Sequence, residues 1–197
     1  MTHVDKQDCA DLIQAWGLAR DQGRWAELTA TFAPDGEIAI SWFRGPFGDF
    51  VEHCKRSFAA GVRSKHLILP ARVQVTGERA VAETNTVILV RQSIDGILVD
   101  LTSYARFLDR IERRDGRWMI VERTAIYEQD RLDPVEPSPG FDAIMKDAEV
   151  TRFPAPYRYM AFRLIAAGRT LASPIHYDGA AETKELYARY HAWLAGM

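Results

Sequence analysis

Three turn dipeptides, Gly77-Glu78, Asp95-Gly96 and Asp115-Gly116, punctuate a run of β-branched and apolar residues between Lys65 and Glu128. A connection this short reverses the chain with no room for a crossover, so the strands on either side must be antiparallel neighbours. The pattern predicts strands over about Lys65 to Thr76, Ala80 to Arg91, Leu98 to Glu112 and Arg117 to Glu128, paired as a meander. Such a sheet needs something apolar against one face.

The residues before the meander supply it. Leu12, Ile13, Trp16 and Ala19 recur at three- and four-residue intervals, which places one apolar stripe on a helix from Asp5 to about Arg20. Gly23 breaks that helix. Trp25, Leu28 and Phe32 carry a second one as far as the Pro34-Asp35-Gly36 turn. A short strand is expected from Glu37 to Trp42. A third helix follows from Gly48 to Ala60, with Phe50, Val51, Cys54 and Phe58 on its buried side. The expected order is ααβαββββ, an α+β fold in which a strongly bent antiparallel sheet packs on a helical hairpin and a third helix. Between the concave sheet and the helices lies the usual place for a small ligand.

From Gln129 the composition changes. Pro134, Pro137, Pro139, Pro154 and Pro156 mark an irregular connection, followed by helical stretches from Tyr157 to Ala167 and from Gly179 to Leu194. We therefore expect a cone domain over residues 1–128 and a linker with a helical extension over 129–197. The extension is expected to cap this domain or reach a neighbouring subunit.

Several function classes fit poorly. With 25 Lys and Arg against 27 Asp and Glu, the net charge of -2 gives no general attraction to nucleic acid or anionic membrane. Cys9 and Cys54 lack the spacing of a disulfide framework or a thiolate zinc site, and reduced, intracellular thiols fit them better. The start MTHVDKQDC has no basic stretch leading into an apolar run, and no stretch reaches the roughly 20 apolar residues of a membrane span, so a cytoplasmic protein is expected. His53 and Cys54, His176 and His191 show no metal-ligand spacing. There is no Gly-rich phosphate loop or GxSxG elbow. No metal and no cofactor is expected.

The element order and the hairpin Glu112-Arg-Arg-Asp-Gly-Arg-Trp118, followed by Met119-Ile-Val-Glu-Arg123, resemble the SnoaL-like family of the nuclear transport factor 2 superfamily. This resemblance spans about Asp5 to Tyr127 and implies the cone-shaped, cystatin-like α+β barrel. Among its members are polyketide cyclases, scytalone dehydratase and hexachlorocyclohexane dehydrochlorinase. The last two resemble each other in using an Asp–His dyad without cofactor. Carried over by position, the dyad falls on Asp21 in Arg-Asp-Gln-Gly-Arg-Trp and His66 in Ser-Lys-His-Leu-Ile, and the active-site Arg on Arg123 in Glu-Arg-Thr-Ala. Trp16 stands about where the dehydrochlorinase has a Lys near its leaving group, so that reaction is not expected here.

The residue chemistry is consistent with those roles. An imidazole titrates near working pH, takes a proton and later returns it. Asp21 accepts a hydrogen bond from one ring nitrogen and stabilises the imidazolium. Arg123 sits on an apolar stripe with Met119, Val121, Ala125 and Tyr127, where a buried cation needs a partner or a ligand, and is expected to stabilise substrate negative charge. Trp16, Trp42, Phe43, Tyr104 and Tyr127 are expected to bind an apolar ring-shaped substrate. The resemblance thus implies a cofactor-independent lyase, dehydratase-like, acting on a hydrophobic hydroxylated aromatic or alicyclic molecule. Formaldehyde-releasing cleavage of lignin-derived diaryl compounds, isomerisation or cyclisation with the same dyad, and a non-catalytic binding or assembly module are the alternatives. It further implies a homo-oligomer formed through the outer face of the sheet, with a trimer preferred to a dimer.

Overall fold

A computed structural model describes residues 3–147 and 150–196. Helix α1 (His3–Gln22) and the short α2 (Trp25–Ala30) form the opening hairpin, followed by β1 (Phe32–Ile40), β2 (Phe43–Pro46) and α3 (Phe47–Ala59). Strands β3 (Lys65–Ile68), β4 (Arg72–Thr76), β5 (Arg79–Ile94), β6 (Ile97–Arg114) and β7 (Arg117–Pro134) complete the cone. The extension holds α4 (Pro139–Asp147), α5 (Arg158–Ala166), β8 (His176–Tyr177) and α6 (Ala181–Leu194).

The sheet runs β2-β1-β7-β6-β5-β3, with β4 also on β5 and β8 on β7. The β5–β6 and β6–β7 hairpins turn at Asp95-Gly96 and Asp115-Gly116, where all four residues have positive φ. That geometry matches the right-handed twist of the strands. Strand β1 joins the far side of the meander by pairing parallel to β7.

Four local expectations change. Strand β1 begins at Phe32, and Pro34-Asp35-Gly36 is absorbed as an irregularity between its Phe32 and Glu37 pairings instead of ending a helix. The first long strand is interrupted between Ile68 and Arg72, at Pro70, whose missing N–H cannot serve a ladder. Strand β7 does not stop at Glu128 but continues through Gln129 to Pro134 on β6, so residues 129–134 belong to the sheet and the 128/129 boundary falls inside a strand. An extra residue in β7 between the Ile111–Ile120 and Arg110–Glu122 pairs shifts the facing. Trp118 and Ile120 therefore join the main core with Ala125 and Tyr127, while Ile126 packs in a separate outer cluster.

The core lies between the concave face and the helices: Cys9, Ile13, Trp16 and Ala19 of α1 and Phe47, Phe50, Val51 and Cys54 of α3 are all buried. On the convex face, Leu186, Tyr190 and Leu194 of α6 cover Val81, Leu108 and Ile126. The extension thus packs on its own cone. Among the described residues no helix is long and apolar enough to cross a membrane.

Helix α1 approaches β3 closely at Gly17, where a Cβ would stand 2.6 Å from Ile68 Cγ1. At Gly48, in contrast, a Cβ meets nothing within 4 Å. Alanine is the better helix former at either site, but at Gly17 it overpacks the helix–strand contact. We expect Gly17→Ala to be about 1–3 kcal/mol less stable than Gly48→Ala in chemical denaturation; equal stabilities would mean that the contact relaxes freely.

Candidate active site

A cavity of about 400 Å³ opens between α1, α3, the concave sheet and α5. Trp16, Trp42, Phe50 and Phe107 give it aromatic walls, with His66 and Tyr127 on the same lining.

Asp21 lies in the last turn of α1 and His66 near the start of β3. One carboxylate oxygen of Asp21 is 2.6 Å from His66 Nδ1, and the other accepts the His66 backbone N–H at 2.7 Å. The ion-pair contact with Lys65 is longer, at 3.8 Å. A carboxylate facing Nδ1 selects the tautomer with the proton on that atom, leaving the Nε2 lone pair to accept a proton. The Trp16 ring meets the imidazole edge-on, with centroids 5.5 Å apart. Burial holds the His66 pKa below its ordinary value; the Asp21 hydrogen bond and charge oppose that, and the Arg20 and Arg123 charges reinforce it. His66 is consequently a neutral base at pH 7.

Tyr127 is buried in the cavity wall, and its hydroxyl accepts the Ser41 backbone N–H at 3.0 Å. Its own proton is left for another acceptor, and burial raises its pKa. Trp16 and Trp42 line the cavity as expected. Phe43 does not: it packs on Phe50 and His53, behind the aromatic wall. Nor does Tyr104, which is 44 % exposed. Its neighbours Ser103 and Ala105 point inward, and strand alternation turns Tyr104 out.

Arg123 is the principal correction. It is fully buried and absent from the cavity lining, and its Nε and Nη2 each donate to an oxygen of Asp109 at 2.7 Å. The two residues are direct cross-strand partners. The guanidinium lies 4.5 Å from the Trp16 ring centroid and 4.3 Å from that of Phe107, behind two rings that face the cavity. Its role is to form a buried ion pair that backs the wall, and it does not touch the cavity. Burial raises the Asp109 pKa, against the pull of Arg123.

Phe107 and Asp109 were readable from alternation, since both share parity with Val99, Leu101 and Ala105 on β6. An inward carboxylate opposite an inward arginine on the next strand is the signal of a pair. The contributions of the extension, Met160, Arg163, Ala167 and Arg169, had no such signal, because no pattern tells which way a detached helix folds back. Cys9 and Cys54 are free and buried, with thiol pKa values pushed up to about 12 and about 11 mainly by burial, which removes them as nucleophiles. Among the described residues, no group of three or more His, Cys, Asp or Glu could hold a metal ion.

The SnoaL-like domain family matches residues 2–124, well over half of the chain, and the chain belongs to that family within the nuclear transport factor 2 superfamily. Among curated proteins it is similar to Pea pathogenicity protein 2 of Fusarium vanettenii, 26% identical over 162 residues, covering 81% of this chain and 69% of that protein. Among crystal structures it is similar to a candidate scytalone dehydratase from Novosphingobium aromaticivorans, at 14% identity and a TM-score of 0.57 over 68% of this chain and 95% of that one. It is likewise similar to the protein LinA, at 18% identity and a TM-score of 0.56 over 68% of this chain and 92% of that one. These likenesses establish the fold.

Two outcomes test this geometry. In an NMR titration, the His66 ring should titrate with a midpoint below 6.5, and Asp21→Asn, which removes the raising influences, should move it lower still; an upward move would contradict the assigned contact. Asp109→Ala, which leaves Arg123 buried and unpaired, should cost about 3–5 kcal/mol in chemical denaturation, and an Arg123→Met, Asp109→Leu double substitution should recover most of it.

Proposed function

We propose that the chain is a cofactor-independent lyase that eliminates water from a hydrophobic, hydroxylated aromatic or alicyclic molecule. One observation carries the reading: an imidazole whose Nδ1 is 2.6 Å from a buried carboxylate, on the lining of a cavity of about 400 Å³ with aromatic walls. His66 Nε2 takes a proton from carbon, the released electron pair forms the double bond, and the carbon–oxygen bond breaks. Tyr127 donates a proton to the departing oxygen, which leaves as water, and the His66 proton returns through solvent to restore the Tyr127 hydroxyl. Asp21 fixes the tautomer and stabilises the imidazolium. Arg123 acts through the wall, disfavouring protonation of the resting imidazole while holding Trp16 and Phe107 in place. The fold shared with the dehydratase candidate and with LinA supports this reading, and the family match is compatible with it.

The test is a screen of aromatic and alicyclic alcohols for loss of water, followed by mass spectrometry, run beside His66→Ala. The variant should lose about 10²–10⁴-fold in turnover while keeping the parent melting temperature and ligand affinity. Unchanged turnover by the variant would sink the mechanism.

A further inference from the structure

Five arginines, Arg20, Arg63, Arg91, Arg163 and Arg169, line the cavity, and among the described residues no Asp or Glu does. Two of the five are engaged elsewhere. Arg91 forms a two-point pair with Asp100 at 2.7 and 2.6 Å, and Arg63 donates to the Phe58 and Val62 carbonyls while lying over the Phe58 ring. The other three have no carboxylate within salt-bridge distance among the described residues.

That is out of character for this chain. Several of its other arginines are paired with carboxylates: Arg106 contacts Glu83, Glu128 and Asp178, Arg123 has Asp109, and Arg110 and Arg189 share Glu122. Arg163 is the sharpest exception. It is only 9% exposed, and among the described residues its side chain hydrogen-bonds from Nη1 to the amide oxygen of Gln92 at 2.6 Å while its buried Nε has no partner. Gln92 in turn donates to the Arg163 backbone carbonyl at 3.3 Å, so the side chain is steered without its charge being neutralised. Arg169 donates to Ser57 Oγ at 2.7 Å and lies over the Trp42 ring. The charges act along a row: Arg169 on Arg163, Arg20 on Arg169, and Arg20 on His66. Burial, with Arg169 adding to it, pushes the Arg163 pKa down to about 10, leaving it charged at neutral pH.

A buried cation without a counter-charge costs stability, and a structural arginine would have been paired or replaced. A guanidinium edge matches a planar carboxylate, and the remaining walls are aromatic. We propose that the substrate carries a carboxylate, bound by Arg163, Arg169 and Arg20, while its ring lies on Trp16, Trp42 and Phe107. This rests on the lyase reading for the reaction, but the anion site stands on the unpaired arginines. It also assigns the extension a task, since Arg163 on α5 and Arg169 just after it lie beyond the family match.

The test is binding to the full chain at about 0.15 M salt, by calorimetry, of four probes: trans-cinnamate, cinnamamide, cinnamyl alcohol and phenyl phosphate. Cinnamate should bind at least about tenfold more tightly than the amide and the alcohol, and more tightly than phenyl phosphate. Arg163→Gln and Arg169→Gln should each reduce that preference by about tenfold, the worth of one charge-assisted contact. Arg163→Gln should also melt no lower than the parent, because it removes an unneutralised charge; should it fail to fold, the less buried Arg169→Gln decides. Equal binding of acid and amide, no binding of cinnamate, a preference that survives both substitutions, or tighter binding of phenyl phosphate would each overturn the proposal. His66→Ala should keep the preference, so a chain that discriminates for carboxylate yet dehydrates nothing would remove the lyase reading and leave the anion site standing.

Discussion

Helix α1 can present a carboxylate to β3 only because it comes unusually close to that strand. Gly17 provides the room for Ile68, and one turn later Asp21 meets His66 twice, at the ring and at the backbone N–H. The double contact matters because it fixes the strand and the side-chain rotamer with one group. A base held only by its ring could rotate away, whereas this one moves only if the strand moves. The rest of the site is arranged around that fixed point: Trp16, from the same helix, meets the imidazole edge-on, and Phe107 meets Trp16.

Behind those rings the Arg123–Asp109 pair does a different job. Two fully desolvated ions are a poor source of net stability compared with apolar packing. They do impose geometry, because two parallel hydrogen bonds at 2.7 Å allow only one relative placement of β6 and β7 at this point. The guanidinium is thereby held in place behind the Trp16 and Phe107 rings.

The parts legible in the sequence were those with local causes. The hairpin turns, the stripe on α1 and the Asp21–His66 pair followed from turn dipeptides, helical spacing and family position. What escaped needed knowledge of pairing across strands. Arg123 was read as reaching substrate from family position and from the apolar stripe around it, whereas its partner, Asp109, lies directly opposite on another strand. Tyr104 was assigned to the cavity by residue type, although the alternation of β6 turns it outward. The end of β7 was placed too early because Gln129 and Asp130 look like linker residues, yet their backbone groups continue the ladder with β6. The cavity contributions of the extension were beyond reach for a simpler reason: a helix tethered by an irregular chain can dock in many places, and its docking depends on the finished cone.

The parallel pairing of β1 with β7 bears on the order in which this molecule can assemble. Hairpins β1–β2, β4–β5, β5–β6 and β6–β7 close between near neighbours in sequence and can form early. Strand β1, however, is made before the meander and gains its pairing with β7 only after that strand has emerged. The N-terminal helical half and the meander are therefore two locally ordered pieces joined by contacts of large sequence separation, the β1–β7 pairing among them, the kind that slows folding. During translation the apolar faces of both pieces stay uncovered until that junction closes, so this interval is when the nascent chain has most need of a chaperone.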